Sequence, residues 1–246
     1  MNKDHARKML EHQRRPPVWS YSNLSDYLIC PRRYYRRHIK KDVEREEKSQ
    51  AQLRGIDVHE AFRVAIRRGG ELPASYAEFE PFVAPIRKVP EGQRFAELKL
   101  GMTQAGASSD FFDHDTWGRG VLDVVVLGRT ALLFDWKLGK SREDPLELSL
   151  QALLLKAKYP DIVEIVGRYV WLKDGRLGKP HDVSDTVSTR AWVDEKLEEI
   201  ANRLEYDAWP PDENPLCRYC NVHDCEYWRD PDGGRKDIQG SGADRR

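Results

Sequence analysis

The sequence predicts an α/β protein, and three features carry that expectation. Residues 120–137, GVLDVVVLGRTALLFDWK, hold two apolar runs rich in β-branched residues on either side of Gly128-Arg129-Thr130, the pattern of a β-hairpin. Residues 51–68, AQLRGIDVHEAFRVAIRR, precede it with helical periodicity. Residues 145–158 follow it with Leu146, Leu150, Leu153 and Leu154 along one stripe of a second helix. With 246 residues, 39% hydrophobic and 33% charged, the chain can bury one sizeable core.

Taken in order, residues 1–19 are basic and include Pro16-Pro17, which reads as a flexible arm or a short helix ahead of the main domain at 20–228. Ser20 or Ser22 is placed to cap a helix carrying Leu24, Tyr27 and Leu28, and Cys30-Pro31 breaks or restarts it. Arg32, Arg33, Tyr34, Tyr35, Arg36 and Arg37 follow. Guanidinium groups interleaved with rings suit a surface that tracks a nucleic-acid strand, and the same pattern also describes a helix with its tyrosines packed inward and its arginines solvated.

In the helix at 51–68, Ile56 and Phe62 lie three residues either side of His59, so the imidazole shares their inward stripe, as a core histidine or as a metal ligand. Residues 70–94, punctuated by Pro and Gly, carry no clear assignment. Phe95 to Leu100 resume strand character, with Glu97 a member of a site or one half of a surface ion pair. Residues 101–117 read as a loop or a widely spaced hairpin connection. Past the helix at 145–158, a strand is expected at 163–172, a less regular one near 181–187, and a long helix at 189–207. The tail at 229–246 has too little apolar content to fold.

The hairpin carries the chemistry. Asp123 interrupts an apolar strand, while Asp135 and Lys137 end the next one, two residues apart and on one face. A carboxylate in a buried strand requires a compensating cation or hydrogen bonds. A divalent metal between Asp123 and Asp135 satisfies both, and Lys137 beside it meets an anion, an arrangement suited to phosphodiester hydrolysis. A simpler alternative is that Asp135 and Lys137 only mark where the strand leaves the core. Gln151, on the following helix, is within reach of such a site.

Net charge is zero, with 41 basic and 41 acidic residues, so it says nothing about partners. Its distribution is uneven: 1–41 hold eleven Lys and Arg against three Asp and Glu, and 194–232 hold four against twelve. No apolar run reaches membrane-spanning length and no secretory signal is visible, so a cytoplasmic protein without membrane contact is expected. In a reducing compartment four cysteines point to metal rather than disulfides. Cys217-x2-Cys220-x4-Cys225 supplies three ligands, and the fourth is Cys30 or His223. Spacing alone admits a 4Fe-4S cluster or a structural zinc.

Together these pieces resemble the RecB-type nucleases of the PD-(D/E)XK superfamily, in the branch with an iron-sulfur staple that includes the AddB nuclease domain and the CRISPR-adaptation exonucleases. The resemblance runs from Ser20 to Trp228 and rests on Leu24-x2-Tyr27-x2-Cys30-Pro31-Arg32-Arg33-Tyr34-Tyr35, Gly55-x3-His59, Gly120-x2-Asp123, Asp135-x-Lys137 and the cysteine triplet. It implies a restriction-endonuclease-like central mixed β-sheet flanked by helices. It also implies Mg2+ or Mn2+ on His59, Asp123 and Asp135, a catalytic Lys137, and a 4Fe-4S cluster on Cys30, Cys217, Cys220 and Cys225 that joins the N- and C-terminal segments. The implied activity is that of a metal-dependent DNA exonuclease on single-stranded or frayed ends, in recombination, repair or CRISPR-type processing, with a helicase, recombinase or integrase as partner. A competing expectation is a nuclease fold retained only for DNA binding or assembly. Two departures stand out: Leu155 occupies the place of the Tyr in the family's Q-x3-Y, and the last cysteine gap is four residues where five is usual.

Overall fold

In the computed structural model of the chain, residues 16–43, 49–141 and 144–230 are described. The helices are α1 (Tyr21–Ile29), α2 (Pro31–Tyr34), α3 (Gln50–Arg68), α4 (Glu80–Arg87), α5 (Leu146–Lys158) and α6 (Thr186–Tyr206). The strands are β1 (Arg94–Thr103), β2 (Ser108–Ser109), β3 (Thr116–Val126), β4 (Thr130–Lys137), β5 (Glu164–Trp171), β6 (Arg176–Leu177) and β7 (His181–Asp182). Among the described residues they fall into two units, one built on 18–21, 49–141 and 144–198 and the other on 16–17, 22–43 and 199–230. Most of the expected basic arm and C-terminal tail lies outside the described residues.

The larger unit is organised by a mixed sheet in the order β2-β1-β3-β4-β5-β6, with β7 also paired to β5. The hairpin expected at 120–137 forms, β3 and β4 pairing antiparallel through Val124–Phe134, Val125–Leu133 and Val126–Leu132. From β4 the chain crosses through α5 and returns as β5, which lies parallel to β4 from Thr130–Glu164 to Lys137–Trp171. A parallel neighbour requires such a crossover, and a helix is the usual one.

Helix α3 begins at a capping box: Ser49 accepts from the Gln52 backbone N–H and the Gln52 side chain accepts from that of Ser49. It ends at Gly69, whose φ of 77° continues the chain in the left-handed region. Its inward face is Val58, Phe62, Ala65 and Ile66, packed with Leu72, Phe79, Val83 and Ile86 against Ala96, Val124, Trp136 and Val170 of the sheet. Ile56, expected on this stripe, is exposed. Phe62 meets Phe79 and Trp136 edge-on, at 5.8 and 5.0 Å between ring centroids. Helix α5 contributes a second apolar layer of Leu148, Leu150, Leu154 and Leu155, all buried.

Two glycines of β3 set how closely neighbours approach. A Cβ at Gly118 would stand 2.0 Å from the Trp19 ring, and one at Gly120 would stand 2.8 Å from Leu154 of α5. Trp19 lies fully buried there, exchanging backbone hydrogen bonds with Trp117 and Arg119, so the folded part begins before Ser20.

One unassigned stretch is resolved and two expectations are corrected. Residues 74–79 form a 3-10 turn and 80–87 the helix α4, in a stretch whose prolines obscure helical periodicity. Proline is well tolerated in a helix's first turn, where Pro81 stands. The strand near 181–187 reduces to His181–Asp182, because Asp185 accepts from the Ser188 N–H and starts α6 at Thr186 rather than at 189.

In the smaller unit, α1, α2 and the π-helical turn Tyr35–Lys40 accompany the last residues of α6 and a 3-10 turn at Pro215–Tyr219. Asp26 of α1 is its polar centre, held by Arg33 at 2.9 Å, Arg37 at 3.0 Å and His38 at 2.7 Å. The Tyr27 hydroxyl donates to Glu199 and accepts from Arg203. Tyr34 is buried, and Tyr35 stacks on Trp209 with 5.0 Å between centroids.

Candidate metal centre and neighbouring groups

The hydrogen-bonded ladder of β3 and β4 ends at Val124–Phe134, and one residue further the two strands carry Asp123 and Asp135. Where the ladder stops, the Asp123 side chain takes over: its Oδ2 accepts from the Trp136 backbone N–H at 2.8 Å. A carboxylate thus replaces a main-chain acceptor, which fixes its rotamer and satisfies a backbone donor.

Across β3 on its other side lies β1, with Ala96 opposite Val124 and Leu98 opposite Leu122. Glu97 falls between these pairs, across from Asp123, and has a φ of 52°. A non-glycine residue in the left-handed region within a strand is strained, and such strain gathers at functional positions. His59 of α3 completes the group, its Nδ1 lying 3.3 Å from Asp123 Oδ1 and 3.4 Å from Glu97 Oε1. One ligand atom from each of His59, Glu97 and Asp123 lies within 4.8 Å of the others, the only such group among the described residues. Burial alone would lower the His59 pKa, but the two carboxylates overcome this and raise it to about 10.

Asp135 is almost completely buried and stands apart from that close trio. Gln151 Nε2 of α5 donates to its Oδ1 at 3.0 Å. Lys137 Nζ approaches its Oδ2 to 2.7 Å as an ion pair. Burial, reinforced by the charges of Asp123 and Glu147, raises the Asp135 pKa. Lys137 also reaches Glu147 Oε2 at 2.7 Å, sitting between two carboxylates. Burial opposes its charge, and Asp135 and Glu147 more than restore it, so its pKa rises.

Of the residues expected to form the site, His59 and Asp123 fall in the ligand trio, while Asp135, Lys137 and Gln151 form a separate, neighbouring set of contacts. Glu97 joins the ligand trio directly. Glu147 was not anticipated; a glutamate four residues before Gln151 on the helix after a D-x-K strand is the signal that could have found it.

The arginines of the 32–37 run have carboxylate partners. Arg32 pairs with Glu226, Arg33 and Arg37 with Asp26, and Arg36 with Asp42 and Asp224. Tyr34 and Tyr35 pack with Trp209. Tyr34 is buried, whereas the Arg32–Glu226 and Arg36–Asp224 pairs lie towards solvent.

The expected four-thiolate cluster is not formed at ligating distance. Cys30, Cys217, Cys220 and Cys225 line one pocket, yet they form no group with sulfurs within 4.8 Å of one another. A tetrahedral zinc with bonds of about 2.3 Å needs sulfurs about 3.8 Å apart. The sulfurs instead have protein partners, Cys30 accepting from the Asp212 N–H at 3.3 Å and Cys217 from the Asn214 N–H at 3.4 Å. Burial raises the pKa of Cys220 and Cys225. His223 does not line this pocket and lies against the Trp228 ring.

Residues 18–116 match the family model of the PD-(D/E)XK nuclease superfamily. The matched stretch includes His59 and Glu97 and stops short of Asp123, Asp135 and Lys137. No curated protein matches the chain. Among solved structures, the crystal structure of SSO0001 is 12% identical, with 91% of this chain and 94% of that chain covered and a TM-score of 0.40. A likeness that distant says nothing about chemistry. Among the described residues no helix is long and apolar enough to cross a membrane.

Proposed function

We propose that the chain is a divalent-metal-dependent deoxyribonuclease of the PD-(D/E)XK type. The observation that carries this reading is the ligand trio His59, Glu97 and Asp123 beside an Asp135-x-Lys137 strand end. The donor set fits Mg2+ or Mn2+: carboxylate oxygens and one imidazole are hard or borderline ligands. Asp135, whose Oδ2 is held by Lys137, is a further carboxylate of the right kind. His59, Glu97, Asp123 and Asp135 are therefore the residues that would hold the ion. When bound, such an ion supplies Lewis acidity for a phosphodiester and lowers the pKa of water.

The protein's own groups do the positioning. Trp136 N–H fixes Asp123, Gln151 fixes Asp135, and Glu147 shares Lys137 with Asp135. Lys137 is held charged, which suits an ammonium that steadies a phosphate oxygen or the attacking water. We assign the substrate as DNA, with single-stranded or frayed ends degraded exonucleolytically in recombination, repair or CRISPR-type processing in the cytoplasm, beside a helicase, recombinase or integrase. Replacing Asp123 by Ala and assaying labelled oligonucleotides with Mn2+ tests the site; cleavage at the unmodified rate would remove the assignment.

We further infer that Cys30, Cys217, Cys220 and Cys225 hold a 4Fe-4S cluster in the smaller unit. Four thiols lining a single pocket and backbone N–H groups aimed at two of the sulfurs support this. A cluster of several irons also tolerates sulfurs spread more widely than one zinc does. Anaerobically purified protein is expected to be brown with broad visible absorption, and a colourless protein carrying one zinc would refute the cluster.

A further inference from the structure

The turn between β2 and β3 presents a feature that the metal centre does not explain. Phe112 is 76% exposed on it, the ring of Phe111 meeting it edge-on at 4.9 Å. Leaving so much aromatic surface in water forfeits the stabilisation that burial would provide. Two cations converge on the pair. Arg119 of β3 lies 5.0 Å from the Phe111 centroid and 5.6 Å from that of Phe112, and its Nη1 donates to the Phe111 carbonyl. Lys99 of β1 lies 5.9 Å from the Phe111 centroid. Among the described residues neither cation forms an ion pair with a carboxylate, unlike Arg32, Arg33, Arg36 and Arg37.

Lys99 joins this step to the metal centre. It lines an open cleft with His59 and Glu97, together with Arg63 and Arg67 of α3. Beyond Phe112 the surface changes sign: Asp113 and Asp115 flank His114, which reaches both at 2.8 and 3.0 Å. A sugar–phosphate backbone is therefore favoured on the Lys99 side and disfavoured beyond the ring, which leaves the ring itself for a base.

We propose that Phe112, backed by Phe111 and Arg119, is a stacking platform for one unpaired nucleobase of a DNA strand whose phosphates follow Lys99 into the cleft. This rests on the nuclease reading for the identity of its ligand. Aromatic stacking is sequence-tolerant because every base offers a π-face, and the adjacent guanidinium adds to it.

The test uses the full chain and a fluorescently labelled single-stranded oligonucleotide in EDTA, so that binding is read without cleavage. Phe112→Ala removes an exposed ring and leaves the core intact; it is expected to weaken binding about tenfold, within the range of one stacked base. Phe112→Trp is expected to retain the affinity. Walking a single abasic site along the oligonucleotide should reproduce the loss at one position in the unmodified protein and add nothing in Phe112→Ala. The platform is overturned if Phe112→Ala binds like the unmodified protein, or if its loss is equally large on a fully abasic strand. It is also overturned if the substitution lowers the oligomeric mass, which would place a second copy of the chain on the ring. Cleavage with Mn2+ is measured alongside. Stacking without cleavage would sink the nuclease reading alone, and cleavage with Phe112-independent binding would sink the platform alone.

Discussion

Glu97 stands across the β1/β3 ladder from Asp123, and its backbone adopts a φ of 52° there. Glycine would occupy that conformation without steric penalty, yet the chain carries a glutamate whose carboxylate meets His59. Replacing Glu97 by Gly should thus separate stability from function. Relief of the strained backbone offsets the loss of the His59 contact, so the melting temperature should stay level or rise by a few degrees. Mn2+ affinity, read by calorimetry, should fall at least tenfold. Unchanged metal affinity would exclude Glu97 as a ligand.

Lys137 lies between Asp135 and Glu147, 2.7 Å from each. Removing one member of a buried charge cluster leaves the others unpaired, at a cost of roughly 3–5 kcal/mol. Lys137→Ala should therefore lose cleavage and also unfold at lower denaturant concentration at neutral pH. Without the ammonium, both carboxyls bind protons more tightly folded than unfolded, so the folded state holds more protons and stability should recover as pH falls from 8 towards 5. A denaturant midpoint that does not recover on acidification would refute this account of the cluster.

Asp26 anchors the smaller unit. Burial alone would raise its pKa, but His38, Arg33 and Arg37 together hold it below the usual carboxylate value. A carboxyl depressed in the folded state contributes stability that is present above its unfolded pKa and is lost as pH falls through the folded one. Asp26→Asn is expected to reduce stability at pH 7 by about 3 kcal/mol and to flatten the loss of stability below pH 4. The observable is the acid limb of thermal unfolding in the two proteins, which would coincide if Asp26 played no such part.

A methyl group at position 118 has no room, since it would fall 2.0 Å from the buried Trp19 ring. Gly118→Ala should displace Trp19, destabilise by about 1–3 kcal/mol and shift tryptophan emission to the red. Native emission with unaltered stability would show that Trp19 does not pack there in solution.

Much of this was readable from residue patterns. The hairpin, α5 and β5 announce themselves because their apolar periodicity is uninterrupted and a glycine turn separates β3 from β4. The hairpin also places Asp123 and Asp135 one residue beyond the last ladder pair, Val124–Phe134, although the close ligand trio takes Glu97 and not Asp135. Glu97 was harder to place because its left-handed backbone breaks the alternation that assigns strand residues to a face. The carboxylate partners of Arg32 and Arg36 are not legible locally, because Glu226 and Asp224 lie close to two hundred residues further on and no local spacing reveals them. Glu147 was overlooked because an acidic residue in the first turn of a helix is ordinarily explained by the helix dipole. Ile56 was misplaced by one stripe, since α3 buries a narrower face than its sequence suggests.

Trp136 belongs to two neighbourhoods at once. Its indole packs edge-on against Phe62 in the apolar interior, while its amide nitrogen is tethered to Asp123. Interior repacking and ligand alignment are consequently not independent in this molecule. A volume change at Phe62, though it touches no substrate, would be transmitted along one residue to the carboxylate, so damage to the interior would surface as a misaligned reaction centre well before the chain unfolds.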